Sequence, residues 1–208
     1  MALAFSWEAA HPSAPPVVMA ALSSARHCAL ADLVLLLAIP EYQVDLPGGQ
    51  RPSQIDVLAL MRGKLGLVVV AVEGKVDERF GPTVGAKRAD SSPGVAHRLA
   101  YLLGRLAIES APDTVRYQLL HRAVSALLVA EQFDAAAAVM LVHSFSPDGR
   151  WFDDFEVFAA LFGAQARVGT VVPIGDYGDT PLLIGWCKGD QRLAGGSSIG
   201  IDAGRPRQ

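Results

Sequence analysis

Residues 66–75 read GLVVVAVEGK, and this stretch decides the fold that we expect for the chain. The run at 67–72 is apolar and rich in valine, which is typical of a strand buried on both faces. If the strand continues, Glu73 and Lys75 share one face, because alternate residues of a strand point the same way. Gly74 between them has no side chain, so a partner can approach closely there. The stretch predicts a central strand that ends in a carboxylate and an ammonium group.

Two further strands are predicted before this one. Residues 41–46 alternate in polarity, and the Pro-Gly-Gly sequence at 47–49 is a turn signal that closes them. Residues 54–60 read QIDVLAL and predict the second strand, from which a tight connection at 62–64 leads into the third. We therefore expect three consecutive strands, the last of which is the valine-rich one.

A helix is expected ahead of the strands. Residues 17–38 are dense in alanine and leucine, and their leucines recur at mixed steps of three and four. Pro40 then ends the pattern, because proline cannot continue a helix. Residues 1–16 contain three prolines, and we expect an irregular arm there.

The remainder of the chain mixes helices and strands. Residues 73–92 are polar and predict a loop, and residues 191–208 predict a flexible Gly/Ser-rich tail. Helices are predicted at 93–108, 114–132 and 151–162, and strands at 136–145, 168–174 and 182–187. The resulting order, α-β-β-β-α-α-β-α-β-β, predicts an α/β domain over residues 17–190, with a single mixed β-sheet flanked by helices.

Composition limits the kinds of function that are open to the chain. Of its 208 residues 51% are hydrophobic, so a sizeable core is available and global disorder is excluded. The net charge of −3 excludes a generally basic nucleic-acid binder, although residues 40–125 form a slightly basic section that permits a polyanion nearby. Cys28 and Cys187 fit neither a disulfide framework nor a zinc site, so we expect reduced thiols and a cytoplasmic protein. The apolar runs are too short for a membrane span, and no membrane association is expected.

Asp56 is a carboxylate on an otherwise apolar strand. Burying it ionised and unpaired would cost several kcal/mol, so we expect a compensating partner. The two-residue period places Gln54 on the face of Asp56, and the hairpin between the second and third strands brings Asp56 towards Glu73. The offsets of Asp56 and Glu73 from the turn are unequal, so we expect a shifted register or a bulge between these strands.

Two adjacent carboxylates repel each other unless a cation lies between them. Mg²⁺ prefers oxygen ligands and keeps bound waters, and one of these waters can become a nucleophile. Lys75 beside the carboxylates would hold a phosphate oxygen or the attacking water and offset charge in the transition state. Asp, Glu and Lys in this arrangement indicate metal-assisted hydrolysis of a phosphodiester.

Asp56 followed by Glu73-Gly74-Lys75 at the end of an apolar strand resembles the PD-(D/E)xK motif of the restriction-endonuclease-like nucleases. The resemblance covers residues 17–145, where the predicted order of elements is similar to the αβββαβ core of that superfamily with one extra helix. It implies a hydrolase that cleaves DNA or RNA with Mg²⁺ or Mn²⁺, with Asp56 and Glu73 as metal ligands and Lys75 assisting the attacking water.

The sequence departs from the pattern of that superfamily at the first helix. Many members add a glutamate there, but residues 17–38 contain none, and Asp32 or Glu8 are the acids that could take its place. Ile55 stands where a proline often precedes the aspartate. Gln118 could fill the accessory position that some members have on the helix after the core.

Gln118, His121 and Arg122 share one face of the predicted helix at 114–132. They could line a pocket above the sheet, where Arg122 would meet a phosphate, or they could form an ordinary solvated face beside the apolar stripe. Gln54, Gln118 and Arg122 are thus the accessory candidates.

A second function from a different class stays open. A non-catalytic binding or assembly module with the nuclease fold would also explain the missing glutamate and the weak basic character. Such a module would bind a protein partner or a second copy of the chain.

Overall fold

The computed structural model describes residues 1–90 and 92–193 of the chain. The helices are α1 (Ala2–Ala10), α2 (Pro16–Ser24), α3 (Val84–Arg88), α4 (Pro93–Arg105), α5 (Tyr117–Gln132) and α6 (Phe152–Ala160). The strands are β1 (Val34–Val44), β2 (Ser53–Gly63), β3 (Gly66–Lys75), β4 (Ala137–Ser144), β5 (Thr170–Tyr177) and β6 (Thr180–Lys188). Short 3₁₀ turns occur at Cys28–Leu30 and Gln191–Leu193.

All the strands belong to one six-stranded mixed sheet in the order β1-β2-β3-β4-β6-β5. Strands β1, β2 and β3 form an antiparallel meander, and β4 lies parallel to β3 after the crossover through α5. Strand β6 is parallel to β4, and β5 is antiparallel to β6. The predicted α/β class with a single mixed sheet is therefore confirmed.

Helices cover both faces of the sheet, so the protein has one apolar layer on each side. The larger layer lies beneath α4, α5 and α6, and includes Leu58, Leu60 and Val69 from the sheet. The smaller layer lies beneath α1 and α2, and includes Val57, Ala59 and Val70. Strand β3 has apolar side chains in both layers, which is why its sequence is apolar at successive positions rather than alternating.

Two predictions for the N-terminal region are wrong. Residues 1–16 contain helix α1 rather than an irregular arm, because the prolines come only after a stretch of good helix formers and Trp7 is buried against the smaller layer. The predicted helix at 17–38 ends at Ser24, and its leucine-rich second half belongs to β1. Pairing with β2 decides the conformation of this half, since a short leucine run suits either a helix or a strand.

Smaller differences concern loops and ends. Strand β3 continues through Lys75, and the predicted loop at 73–92 also contains α3. Of the predicted tail, 191–193 form a 3₁₀ turn, and 194–208 lie outside the described residues. Within residues 1–90 and 92–193, no helix combines the length and apolar character needed to cross a lipid bilayer.

Candidate functional site

Strands β2 and β3 bring Asp56 beside Glu73. Their register pairs Gly63 with Gly66 and Val57 with Val72, so Asp56 and Glu73 are the next residues in line. The expected register shift between these strands is wrong, because the hairpin turns at residues 64–65 and the two offsets are equal. The candidate site therefore begins at the ordinary end of a regular antiparallel ladder.

The alternation of side chains is irregular instead in β2 and in β1, the strand on the other side of β2. Ile55 and Leu58 both lie in the larger apolar layer, although a regular strand would place them on opposite faces. On β1, Glu41 lies between the partners of Ile55 and Val57 and has a φ of 56°, which bulky residues rarely adopt. The alternation of β2 therefore breaks just after Asp56, where Asp56 and Val57 face the same side of the sheet.

Gln54 precedes the break in alternation and lies on the same side of β2 as Asp56. Gln54 is exposed, and its side-chain amide donates a hydrogen bond to the carboxylate of Glu41. Alternation is intact from Ser53 to Asp56, since Ser53 and Ile55 face the larger layer and Gln54 and Asp56 face the other side, as the two-residue period predicts.

Asp56 is anchored to the backbone of β3. Its Oδ2 accepts a hydrogen bond from the Gly74 N–H at 2.8 Å, and no hydrogen bond from a described residue reaches its other oxygen. A Cβ atom at position 74 would lie 3.0 Å from Leu3 Cδ2 and 3.5 Å from Asp56 Oδ2. Gly74 thus allows both α1 and Asp56 to approach β3, as expected for a residue without a side chain.

Glu73 has a different environment and is only 2% exposed. Its Oε1 accepts hydrogen bonds from Lys75 Nζ at 2.6 Å and from Gln118 Nε2 at 2.5 Å. Its Oε2 accepts a hydrogen bond from Arg122 Nε. Two cations and an amide therefore compensate the buried carboxylate, which would otherwise be costly to ionise.

Gln118 and Arg122 reach Glu73 because they lie one helical turn apart on α5, which crosses the sheet above β3. The structure thus brings together Glu73 and Lys75 with two of the three accessory candidates. The third, Gln54, is not part of this group.

Ser53 and His121 extend the hydrogen-bond network around Glu73. Of the two, Ser53 was not predicted from the sequence. Ser53 Oγ lies 3.0 Å from His121 Nδ1 and accepts a hydrogen bond of 3.0 Å from Arg122 Nη1. Burial and then the charge of Arg122 lower the pKa of His121 to about 3, so the imidazole is neutral at pH 7. Ser53 shares its strand face with Ile55, and this shared face was the available signal.

The pKa of Asp56 is raised, whereas nearby cations would lower the pKa of a well-compensated carboxylate. Burial, followed by the negative charge of Glu73, raises its pKa to about 6. The Gly74 N–H and the charges of Arg122 and Lys75 act in the other direction, but they do not outweigh burial. Asp56 is therefore a carboxylate with too little positive charge around it, and a cation would supply that charge.

A cavity of about 770 Å³ lies in front of Asp56, between the end of β3 and α1. We call it the acidic cavity, because its wall carries four carboxylates and one lysine, namely those of Glu8, Glu41, Asp56, Glu78 and Lys75. Glu8 on α1 thus shares a cavity with Asp56, whereas Asp32 precedes β1 at the end of the strand far from Asp56. Glu73 does not line the acidic cavity, because its side chain contacts α5 on the opposite face of the sheet, so the expected placement of Asp56 and Glu73 on one face is wrong.

The side chains at this site suit a divalent cation only if the cation keeps several of its bound waters. Among residues 1–90 and 92–193, no three His, Cys, Asp or Glu side chains are grouped to hold a metal ion. Mg²⁺ needs only one or two carboxylates, because it keeps several waters. Asp56 offers a free oxygen, but Glu73 could become a ligand only by exchanging one of its three hydrogen bonds.

Comparison with known families places the whole of this architecture in one domain. A family model described as "Domain of unknown function (DUF6946)" matches residues 1–191. The chain belongs to the DUF6946 family. The match spans α1 to β6, so Asp56, Glu73, Lys75 and the α5 residues that contact them all lie in the DUF6946 domain. No curated protein and no solved structure matches the chain.

Proposed function

We propose that this DUF6946 domain is a nuclease that hydrolyses phosphodiester bonds in DNA or RNA with the help of Mg²⁺ or Mn²⁺. The observation that carries the proposal is the hydrogen bond from Gly74 to Asp56, which joins Asp56 to the segment holding Glu73 and Lys75. The order of elements, a helix, three antiparallel strands, a helix and a parallel strand, also supports the resemblance to the PD-(D/E)xK nucleases.

Asp56 is the proposed primary metal ligand, and Glu73 is the proposed second ligand after exchange of a hydrogen bond. A hard cation held there would polarise a phosphate oxygen and lower the pKa of a bound water. The raised pKa of Asp56 supports this role, because a carboxylate that lacks nearby positive charge gains most from a cation.

Lys75 is the proposed phosphate contact. Its ammonium group is held 2.6 Å from Glu73 Oε1 and lies 5.0 Å from the ring centre of Phe80, so its position is well defined. It also lines the acidic cavity beside Asp56, where it would offset charge that develops on a phosphate in the transition state.

Cys28 and Cys187 are both free thiols, the first exposed and the second buried. Burial raises the pKa of Cys187 to about 12, so this thiol is unreactive. These features support a reducing compartment, and we propose the cytoplasm.

The test is cleavage of fluorescently labelled single- and double-stranded DNA and RNA, with Mg²⁺, with Mn²⁺ and with a chelator. We expect metal-dependent cleavage that falls by about 100-fold or more in Asp56→Asn, because the side chain keeps its shape but loses its charge. Lys75→Met should lose about 100-fold through missing transition-state stabilisation. Asp45→Asn is the matched control, because Asp45 is an exposed carboxylate outside the cavity.

Thermal melting with and without Mg²⁺ completes the test. At ten times its Kd, Mg²⁺ should stabilise the wild type by about 1.4 kcal/mol and leave the melting of Asp56→Asn unchanged. A folded wild-type protein that neither cleaves any substrate nor responds to Mg²⁺ would contradict the proposal.

A non-catalytic binding or assembly module is the second candidate function. The observation that favours it is the complete pairing of Glu73, whose two oxygens accept three hydrogen bonds. A carboxylate paired in this way is already neutralised and acts as a structural element. This candidate predicts a stable complex with a protein partner or a second copy, and no metal-dependent chemistry.

A further inference from the structure

A second cavity lies on the other side of Lys75, between the loop after β3 and the first turn of α5. Its volume is about 470 Å³. Its wall includes three cationic side chains and one carboxylate, those of Lys75, Arg79, Lys87 and Glu78. We call it the basic cavity. Lys75 and Glu78 also line the acidic cavity, so the two cavities are neighbours.

Two of the cations of the basic cavity, Arg79 and Lys87, keep their charge available, whereas Lys75 is paired with Glu73. The Arg79 guanidinium lies 4.7 Å from the ring centre of Trp151, and Lys87 Nζ lies 5.4 Å from that of Tyr117. In the part of the chain that the structure describes, neither cation forms an ion pair with a carboxylate. An aromatic ring positions a cation without neutralising it, so both cations can attract an anion.

The interior behind the cavity adds positive charge rather than removing it. Glu73 pairs with both Lys75 and Arg122, so the buried cluster of these three residues has one more positive than negative charge. The pKa of the cavity residue His121 is lowered first by burial and then by Arg122, Arg98, Lys87 and Lys75. The positive charges of four side chains therefore act on His121, which lines the cavity.

Helix α5 begins in the same wall, at Tyr117 and Gln118, and is 16 residues long. The N-terminus of such a helix favours anions, because its dipole is positive there. The Tyr117 N–H already donates to the Pro82 carbonyl, so the helix acts here through its dipole. The cationic side chains and the helix therefore act in the same direction.

We propose that the basic cavity binds a phosphate group of a nucleic-acid strand through Arg79, Lys87 and Lys75, next to the phosphate at Asp56. Lys75 stands between the two cavities, so a strand that crosses it would place consecutive phosphates on either side. The assignment to nucleic acid rests on the proposed function, whereas the expectation of phosphate binding does not.

The test uses a short single-stranded oligonucleotide in a chelator, so that binding is measured without metal or cleavage. We expect Arg79→Gln and Lys87→Gln each to weaken binding about fivefold, and to reduce the slope of log affinity against log salt by about one. Arg88→Gln is the matched control, because Arg88 is on the same short helix as Lys87 but pairs with Asp113 at 2.5 Å. Melting curves establish that each variant is folded.

Inorganic phosphate and pyrophosphate are the second probes, measured by calorimetry. They should bind the wild type, compete with the oligonucleotide and bind Lys87→Gln more weakly. Binding of phosphate but not of the oligonucleotide would overturn the nucleic-acid assignment. Equal binding of both probes by the wild type, Arg79→Gln and Lys87→Gln, or no binding at all, would overturn the phosphate site.

The two proposals fail in different ways. If oligonucleotide binding depends on Arg79 and Lys87 but no metal produces cleavage, the phosphate site stands and the nuclease does not. If the wild type cleaves, and the two variants bind and cleave as it does, the nuclease stands and the phosphate site does not.

Discussion

Asp56 and Glu73 are two carboxylates at the same end of the same pair of strands, yet their surroundings differ. Glu73 is almost fully buried and accepts hydrogen bonds from Lys75, Gln118 and Arg122. Asp56 accepts one backbone hydrogen bond and has a pKa raised to about 6. The comparison teaches that proximity to a neighbouring charge does not define the role of a carboxylate. The number and charge of its donors decide whether it stabilises the interior or stays available to a ligand.

The largest expected effect on stability comes from replacing Glu73. Glu73→Gln leaves Lys75 and Arg122 buried without a counter-charge, and we expect a loss of about 3–5 kcal/mol in the free energy of unfolding. Urea denaturation at pH 7 measures this loss. Glu156→Gln is the control, since Glu156 is exposed on α6.

A loss below about 1 kcal/mol in Glu73→Gln would show that Glu73 is not the main compensation for these cations. The contrast with Asp56 would then disappear. The same variant should also melt less cooperatively if the buried cations admit water.

An intermediate effect is expected from Asp56, and it depends on pH. The folded pKa of Asp56, about 6, is above its ordinary value of 3.8, so the folded state binds the proton more tightly than the unfolded state. This contribution to stability is fully present below pH 3.8 and is lost as the pH rises through 6. The difference is at most about 3 kcal/mol.

Asp56→Asn should therefore be more stable than the wild type at pH 8, and the advantage should decrease towards pH 4. Other groups titrate in this range, so the quantity to measure is the difference between the two proteins in urea denaturation at each pH. A difference that does not change with pH would contradict the raised pKa of Asp56.

The smallest effect is expected at Gln54, the predicted accessory residue that shares a face with Asp56 but does not line the acidic cavity. Its side chain is exposed and, among the described residues, forms a hydrogen bond with Glu41 alone, so Gln54→Ala should change the free energy of unfolding by less than about 0.5 kcal/mol. Oligonucleotide cleavage should be equally insensitive. A tenfold loss of cleavage would show that Gln54 is an accessory residue of the site.

Most of the sheet could be predicted from local patterns. The valine-rich stretch in β3 is apolar at successive positions, which a strand covered on both faces requires, and its charged end follows directly in the sequence. The helix face with Gln118 and Arg122 could also be predicted, because the helical period places them one turn apart. Local patterns sufficed where the local sequence itself carries the periodicity.

Other features depend on neighbours that are distant in the sequence. The leucine-rich half of β1 is a strand because β2 pairs with it, not because of its own pattern. The break in alternation after Asp56, which places Asp56 and Leu58 on opposite sides of the sheet beside Glu41 of β1, is not encoded by a two-residue period. The cluster around Glu73 depends on α5, whose residues follow Glu73 by more than forty positions.

By itself, the sequence determined that Asp56, Glu73 and Lys75 come to the same end of two paired strands, because hairpin pairing is a local rule. Only the tertiary structure decided which of the two carboxylates is neutralised. The reason is physical: Arg122 and Gln118 on the crossing helix reach Glu73 and leave Asp56 facing a cavity, and pairing of a buried charge depends on contacts that no local pattern encodes.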